Sequence, residues 1–240
     1  MAKRHLKRMA VPRTWPVERK SSTFIYRPSP GAHSFDEGMS LGTFLKEVFR
    51  YARTNREARR ILHQKTVLVD GKRRKDEHLI VGLFDIIEFP EADTRFRITI
   101  NTNGKIDAVA VDKKEAALKP CRITGKSMVK GKVQLNLSDG RNILVDKDGY
   151  RTGDTLLIGL PSQDIRKHLR LDKKAAIFLT GGKHLGHIGT VEGISGDRLM
   201  YRTEDGAIQE TKKEYAYRGR EARAHHFSIT GQEITGQLVG

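Results

Sequence analysis

The sequence predicts an α+β chain of several small domains, with an extended basic arm in front, a compact helical module next and all-β structure behind. Three observations carry that assignment. Apolar residues recur at helical spacing between residues 40 and 63, they alternate with polar ones at a period of two from residue 95, and glycines crowd the segment 181–189 as at a sharp turn between strands. The 240 residues suffice for one to three small domains, and their formal net charge of +16 implies a polyanionic partner. The expected division is an arm over 1–40, a helix-helix-strand module over 41–94, an all-β domain over 95–170, a further β unit over 171–217 and an extension over 218–240.

The arm comes first. Residues 1–35 hold Lys3, Arg4, Lys7, Arg8, Arg13, Arg19, Lys20 and Arg27 against the single acid Glu18. Such a segment has too little apolar surface to offset its chain entropy and should not fold alone. Pro12, Pro16, Pro28 and Pro30 interrupt any helix, so the arm is expected to be extended. Trp15 has two readings, stacking on a base or packing on the protein's own module, and packing is the expected one.

Leu41, Phe44, Leu45, Val48 and Phe49 then stand at helical spacing and predict a first amphipathic helix from Ser40 to Ala52. A second begins after Thr54, whose spacing to Glu57 is that of a capping box. Along it Arg56, Arg59, Arg60 and His63 share one stripe while Ala58, Ile61 and Leu62 share the opposite one. A solvated face is the bland reading of such a stripe. Three arginines on one short face repel each other, however, and guanidinium groups hold phosphate oxygens bidentately with release of condensed counterions, so the stripe reads as an RNA-docking face. Asp70 and Gly71 predict a tight turn after Val67–Val69, with Lys72, Arg73, Arg74 and Lys75 adding charge directly beyond it, and Leu83–Phe89 supplies a further strand.

From Arg95 the period changes to two. Phe96, Ile98 and Ile100 alternate with Arg95, Arg97 and Thr99, as Val133, Leu135 and Leu137 do with Lys132, Gln134 and Asn136. Turn signals recur at Asn103-Gly104, Asp139-Gly140 and Asp148-Gly149. Between Ala176 and Gly193 the glycines 181, 182, 186 and 189 mark a sharp loop on which Lys183, His184 and His187 are expected to be exposed and able to meet a phosphate. One more strand passes through Leu199, Met200 and Tyr201; beyond Ala224 the pattern fades.

Several function classes lack their residues. No apolar run approaches the ~18 residues that span a bilayer, and no hydrophobic signal core follows the basic start. A non-membrane, unexported, cytoplasmic chain is expected. Cys121 is the single cysteine, which excludes an internal disulfide and a Cys-x-x-Cys zinc module. His184 and His187 lack the further ligands of a zinc site, and Gly181-Gly182-Lys183 lacks the spacing of a nucleotide-binding loop. No metal, cofactor or catalytic residue is expected. The 16 aromatics (9 Phe, 6 Tyr, 1 Trp) form no evident paired platform, so shape and phosphate contacts should outweigh base stacking.

The ordered set of segments resembles the e-type, archaeal and eukaryotic, family of small-subunit ribosomal protein four, nearly end to end. The basic opening Lys3 to Arg8, then Pro12 and Trp15, then Arg27 to His33, resembles that family's N-terminal arm. Residues 41–100 resemble its small helical RNA-binding module, 95–170 its central β domain, and Phe178 to Gly193 the KOW motif of its C-terminal SH3-like barrel. The common Lys-Gly pair of that motif is here Leu185-Gly186, and the stretch from Arg218 to Gly240 does not align with the family's usual ending. The resemblance implies a structural, non-enzymatic constituent of the small ribosomal subunit. Its partners would be small-subunit ribosomal RNA and neighbouring ribosomal proteins. The RNA-binding residues expected on both grounds are Lys3, Arg4, His5, Lys7, Arg8, Arg13 and Arg27 in the arm; Arg53, Arg56, Arg59, Arg60, Lys65, Lys72, Arg73 and Arg74 in the module; and Lys183, His184 and His187 in the glycine-rich loop. Two other readings compete: a factor that visits RNA or the ribosome transiently, and an RNA-modifying enzyme of the pseudouridine synthase type. The second needs a catalytic Asp in a Gly-Arg-Leu-Asp-like motif, and the Gly-Arg pairs here, Gly140-Arg141 and Gly219-Arg220, are followed by Asn142 and Glu221.

Overall fold

The computed structural model describes residues 5–146, 148–203 and 205–219. The chain is mostly β, with three five-stranded antiparallel sheets following one another along it. The first sheet runs, edge to edge, Lys72–Arg73, Leu68–Val69, Ile86–Phe89, Thr94–Ile100, Ile106–Ala110. The second runs Asn142–Val145, Lys132–Leu137, Leu118–Val129, Thr155–Gly159, Ile165–Leu169, and the third Ile208–Lys212, Arg198–Thr203, Ile188–Ser195, Ala176–Leu179, Ala216–Arg218.

The first helix is shorter than its apolar spacing suggests. Ser40 caps it by accepting from the Thr43 amide at 3.4 Å, a turn of α-helix over Leu41–Thr43 widens into a π-helical turn over Phe44–Val48, and Arg50 ends it at φ +55°. The Tyr51 and Ala52 amides both turn back to the Leu45 carbonyl, which places Leu41, Phe44 and Leu45 fully inside. At the Asp70-Gly71 turn both residues have positive φ, +52° and +74°, as a type I′ hairpin requires.

Two expectations need correction. The strand Thr94–Ile100, expected in a central β domain beginning at 95, pairs with Ile86–Phe89, and Ile106–Ala110 pairs in turn with Thr94–Ile100, so both extend the module's own sheet. A period of two looks the same in either sheet, so periodicity could not place the boundary. The described part of the arm is not merely an extended segment either: Leu6–Lys7 pairs antiparallel with Phe24–Ile25, and Leu6, Val11, Trp15 and Ile25 enter the core built by the module. Trp15 is 1% exposed and donates from its indole nitrogen to the Phe35 carbonyl at 3.2 Å. Phe178 and Tyr217 from the third sheet reach the same core, where both rings meet Phe84.

A buried charged cluster joins arm, module and second sheet. Lys119, 1% exposed, places its ammonium 2.7 Å from Asp70 and 3.2 Å from Asp139 and hydrogen bonds Asp85. Arg141 pairs with Asp70 and, through Nε at 3.1 Å, with Asp139. His33 of the arm sits 2.9 Å from Asp85 through Nε2. Asp70 and Asp85 also accept from the amides of Ile86 and Gly82 at 3.0 and 2.9 Å. Three carboxylates thus face two permanent cations, and a protonated His33 makes the cluster formally neutral. Burial opposes charge on His33, but attraction to and hydrogen bonding with Asp85 outweigh it, with Asp139 adding to the pull and Lys119 opposing it, so the imidazole is held above its ordinary value. Burial likewise works against the Lys119 ammonium and the Asp85 carboxylate, and their mutual attraction wins at both, raising the one and lowering the other.

Because the folded value of His33 lies above the unfolded one, its stabilisation is complete below about pH 6.5 and is lost as pH rises through the folded value. Melting curves of the protein and of His33→Gln between about pH 5.5 and about pH 9 should show a stability gap that is widest in acid and closes in base. A pH-independent gap would contradict a charged His33.

Candidate nucleic-acid interface

The second helix, Asn55–Gln64, is fixed at its start by local chemistry. The Glu57 amide donates to Thr54 Oγ1 at 3.2 Å, and the Glu57 carboxylate accepts from the amides of Arg53 and Thr54, the full capping box that the spacing predicts. The Arg53 amide, first among these, holds the Glu57 carboxyl below its ordinary range. Ala58 and Leu62 are fully buried and Ile61 half-buried, which turns Arg56, Arg59, Arg60 and His63 to solvent.

The arginines of that stripe are not equivalent. Arg59 forms a two-pronged pair with Glu77, its Nε 2.8 Å from Oε1, on the loop that follows the charged hairpin. Beside it Tyr26 donates to the Asn55 carbonyl at 2.9 Å, and its hydroxyl is pushed up to about 12 by burial and by the Glu77 charge. Arg59 is therefore answered by a protein carboxylate, although its side chain stays 61% exposed. Arg60 donates only to Gln64, at 3.0 Å. Arg53, Arg56, Lys65, Lys72, Arg73 and Arg74 are exposed and enter no ion pair among the described residues. The strand Lys72–Arg73 is the outer edge of the module's sheet, reached directly from the helix through Lys65 and the strand Leu68–Val69. Helix and edge strand thus form one short stretch of chain dense in free cations.

In the arm, the structure separates residues that sequence grouped together. Arg8 is 3% exposed, pairs with Glu47 and donates to the Glu18 carbonyl; it is a buried structural cation, which corrects its assignment as an RNA contact. The reason is register: Leu6 and Arg8 turn inward, whereas His5 and Lys7 turn outward. Arg13 is exposed, and Arg27 is half-buried with its carbonyl 2.7 Å from His78 Nδ1. Lys3 and Arg4 lie outside the described residues, as does the proposed extension from Arg220 onward, while Arg218 belongs to the last strand of the third sheet.

The glycine-rich loop also departs from expectation. Lys183 is exposed, but His184 and His187 are half-buried with their rings 5.7 Å apart, edge to face. The loop is seated on the module's last hairpin: Gly186, at φ +82°, passes so close to Asn101 that a Cβ would lie 2.2 Å from its carbonyl oxygen, and Leu185 packs toward Gly104. Only glycine fits there. Among the described residues no group of three His, Cys, Asp or Glu is placed to hold a metal, and no helix is long and apolar enough to cross a membrane. Cys121 is fully buried beside Asp139, and burial pushes its thiol well up.

Sequence reading missed a second group of cations. Arg151, Arg170, Lys173 and Lys213 line a cleft of about 310 Å³ between the second and third sheets, together with Asp154 and Asp172. They come from separate segments, so no local pattern could announce them. Asp154 is already engaged by His168 at 2.7 Å and by the amides of Arg151 and Leu171.

These features define a class: a multidomain, β-rich, strongly basic protein whose free positive charge is displayed on a frame locked by buried ion pairs. Comparisons with known proteins narrow that class. A family model described as Ribosomal family S4e matches residues 92–165, and one described as the RS4NT domain matches residues 2–36. The small ribosomal subunit protein eS4 of Methanocaldococcus jannaschii is 38% identical over 229 residues, covering 90% of this chain and 93% of that protein. Those of Methanocella arvoryzae and Korarchaeum cryptofilum are 40% and 39% identical over 81% and 80% of the chain. The fold is similar to the crystal structure of the 30S ribosomal protein S4e from Thermoplasma acidophilum, with a TM-score of 0.66 and 24% identity over 76% of this chain and 94% of that one. The chain belongs to the eS4 family of small ribosomal subunit proteins.

The distinction between buried and displayed arginines is open to measurement. Arg8→Ala strands Glu47 and should lower unfolding stability in urea by about 3 kcal/mol, whereas Arg56→Ala should change it by less than about 0.5 kcal/mol. Equal effects at the two positions would contradict the assignment.

Proposed function

We propose that this protein is a structural constituent of the small ribosomal subunit that binds ribosomal RNA and performs no covalent chemistry. Membership of the eS4 family supports that reading most strongly, and family members are ribosomal proteins rather than enzymes. The proposed RNA contacts are the exposed basic residues: His5, Lys7 and Arg13 in the arm, Arg53, Arg56, Arg60 and Lys65 about the helix, Lys72, Arg73 and Arg74 on the hairpin, and Lys183 in the glycine-rich loop. Lys3 and Arg4 are retained on sequence grounds, and Arg27, Arg59, His184 and His187 are assigned secondary roles because each is half-buried or already paired. The partners proposed are small-subunit ribosomal RNA and neighbouring ribosomal proteins, in the cytoplasm. The third sheet is proposed to be the KOW-bearing SH3-like barrel, with Phe178–Gly193 as its motif.

The physical argument is that these cations are held on folded elements before RNA arrives. A guanidinium on a capped helix loses less freedom on binding than one on a loose chain, so more of the counterion-release free energy appears as affinity. With ~6 to 10 phosphates neutralised, affinity should fall by roughly 10³ to 10⁵ between about 50 and about 200 mM salt.

Sedimentation tests the assignment directly: the protein should travel with small subunits in stoichiometric amount through a high-salt sucrose gradient. Recovery only in low-mass fractions would contradict it. At the residue level, replacing Arg56, Arg60, Arg73 and Arg74 together by Ala should lower the salt slope of ribosomal RNA binding by roughly 3 while leaving the circular dichroism spectrum intact. Loss of folded signal in that variant would make those arginines structural instead. Arg59 is left in place because Glu77 already neutralises it.

A further inference from the structure

The arm carries an aromatic feature that its composition conceals. In the two-stranded ribbon Leu6 faces Ile25 and Lys7 faces Phe24. Leu6 and Ile25 are 7% and 9% exposed and point into the core. Because side chains alternate across a strand, Lys7 and Phe24 must then share the outer face. His5, two residues before Lys7, joins them there: its ring lies edge-on to Phe24, with centroids 5.7 Å apart and planes at 83°. Phe24 is 56% exposed and is the one aromatic among the exposed large hydrophobic side chains of the described residues; Met9, 61% exposed, follows on the same arm.

A single exposed phenylalanine needs no explanation. This one is set apart by its surroundings. His5 braces one edge of the ring, Lys7 stands directly across from it, and Lys20 and Arg13 are exposed on the same arm, while Glu18 is the only acid between residues 5 and 35. An apolar protein neighbour would be met by the Lys7 ammonium directly across from the ring. A nucleotide suits both groups: its base offers a flat face for the ring, and its phosphate offers a partner for the Lys7 ammonium. Stacking of unpaired bases on exposed aromatics beside positive charge is the usual chemistry of single-stranded RNA recognition.

We propose that Phe24, braced by His5 and flanked by Lys7, is a stacking site for one unpaired RNA base, with Lys7 holding the adjoining phosphate. This deepens the ribosomal RNA reading and rests on it. Phosphate contacts on the module then recognise RNA by charge and shape, and the arm adds a local demand for an unstacked nucleotide.

The test uses the full-length protein with oligouridylate, which is single-stranded and weakly stacked, and with an adenylate–uridylate duplex of equal length. Trp15 is buried, so Phe24→Trp introduces an exposed reporter whose emission should be quenched by oligouridylate and much less by the duplex. Phe24→Ala should weaken oligouridylate binding about tenfold while changing duplex binding by less than about twofold, the size of one base–aromatic stack. Phe24→Leu, which keeps apolar area without a π-face, should behave like the alanine variant. Wild-type affinity in the leucine variant, or equal loss on both probes in the alanine variant, would overturn the stacking site. So would unchanged RNA binding accompanied by loss of the alanine variant from assembled subunits, which would assign Phe24 to a protein neighbour. A wild-type protein that sediments with subunits yet binds neither probe would also overturn this site while leaving the ribosomal reading intact; failure to sediment would instead strike that reading.

Discussion

Lys119 is the group on which the rest of the structure depends. It leaves water at the start of the second sheet and finds Asp70 and Asp85 of the module and Asp139 in the turn between Lys132–Leu137 and Asn142–Val145 of its own sheet. Taking five or six charges out of water is costly, and well-packed apolar groups of similar volume would often be at least as stable. What the cluster supplies is orientation. Removing Lys119 alone would leave buried carboxylates unanswered, at a cost of about 3–5 kcal/mol, so only the register that brings module turn, central hairpin and arm histidine together is tolerated. The apolar contacts of Phe84 with Phe178 and Tyr217 tie the third sheet to the same core without such directional demands.

Charge in this protein therefore has two uses that composition cannot separate. Arg8, Lys119 and Arg141 are spent inside, and Arg97, half-buried, donates to the carbonyls of Glu115 and Leu118, with burial lowering its affinity for a proton. These hold the frame. Arg56, Arg60, Lys72, Arg73 and Arg74 remain at the surface of that frame. The second group is effective because the first keeps the helix and the edge strand in fixed relation to the rest of the chain.

How much of this was legible in the sequence follows from the range of each interaction. The capping box of Thr54 and Glu57 and the turn at Asp70-Gly71 are set by neighbours a few residues apart, and both stand as read. What Asp70 does beyond the turn was invisible, because Lys119 is 49 residues away. The pairing of Arg8 with Glu47 and of Arg59 with Glu77 was invisible for the same reason. The composition of the arm points to an extended segment that does not fold alone; the inward turn of Leu6 and Arg8 and the outward turn of Lys7 emerge only once Phe24–Ile25 supplies a partner strand. That Thr94–Ile100 and Ile106–Ala110 lie in the module's sheet was not legible, because strands of two successive sheets share one period.

Cooperativity of unfolding tests the locked frame most directly. Trp15, the single tryptophan, reports on the arm and module core, while far-ultraviolet circular dichroism is weighted toward the strands of all three sheets. At neutral pH the two signals should change together along a urea titration, and Lys119→Ala should separate them into two steps. Two well-separated transitions in the unaltered protein would contradict the account, since they would mean that the module and the second sheet stand independently and that the buried cluster does not bind them.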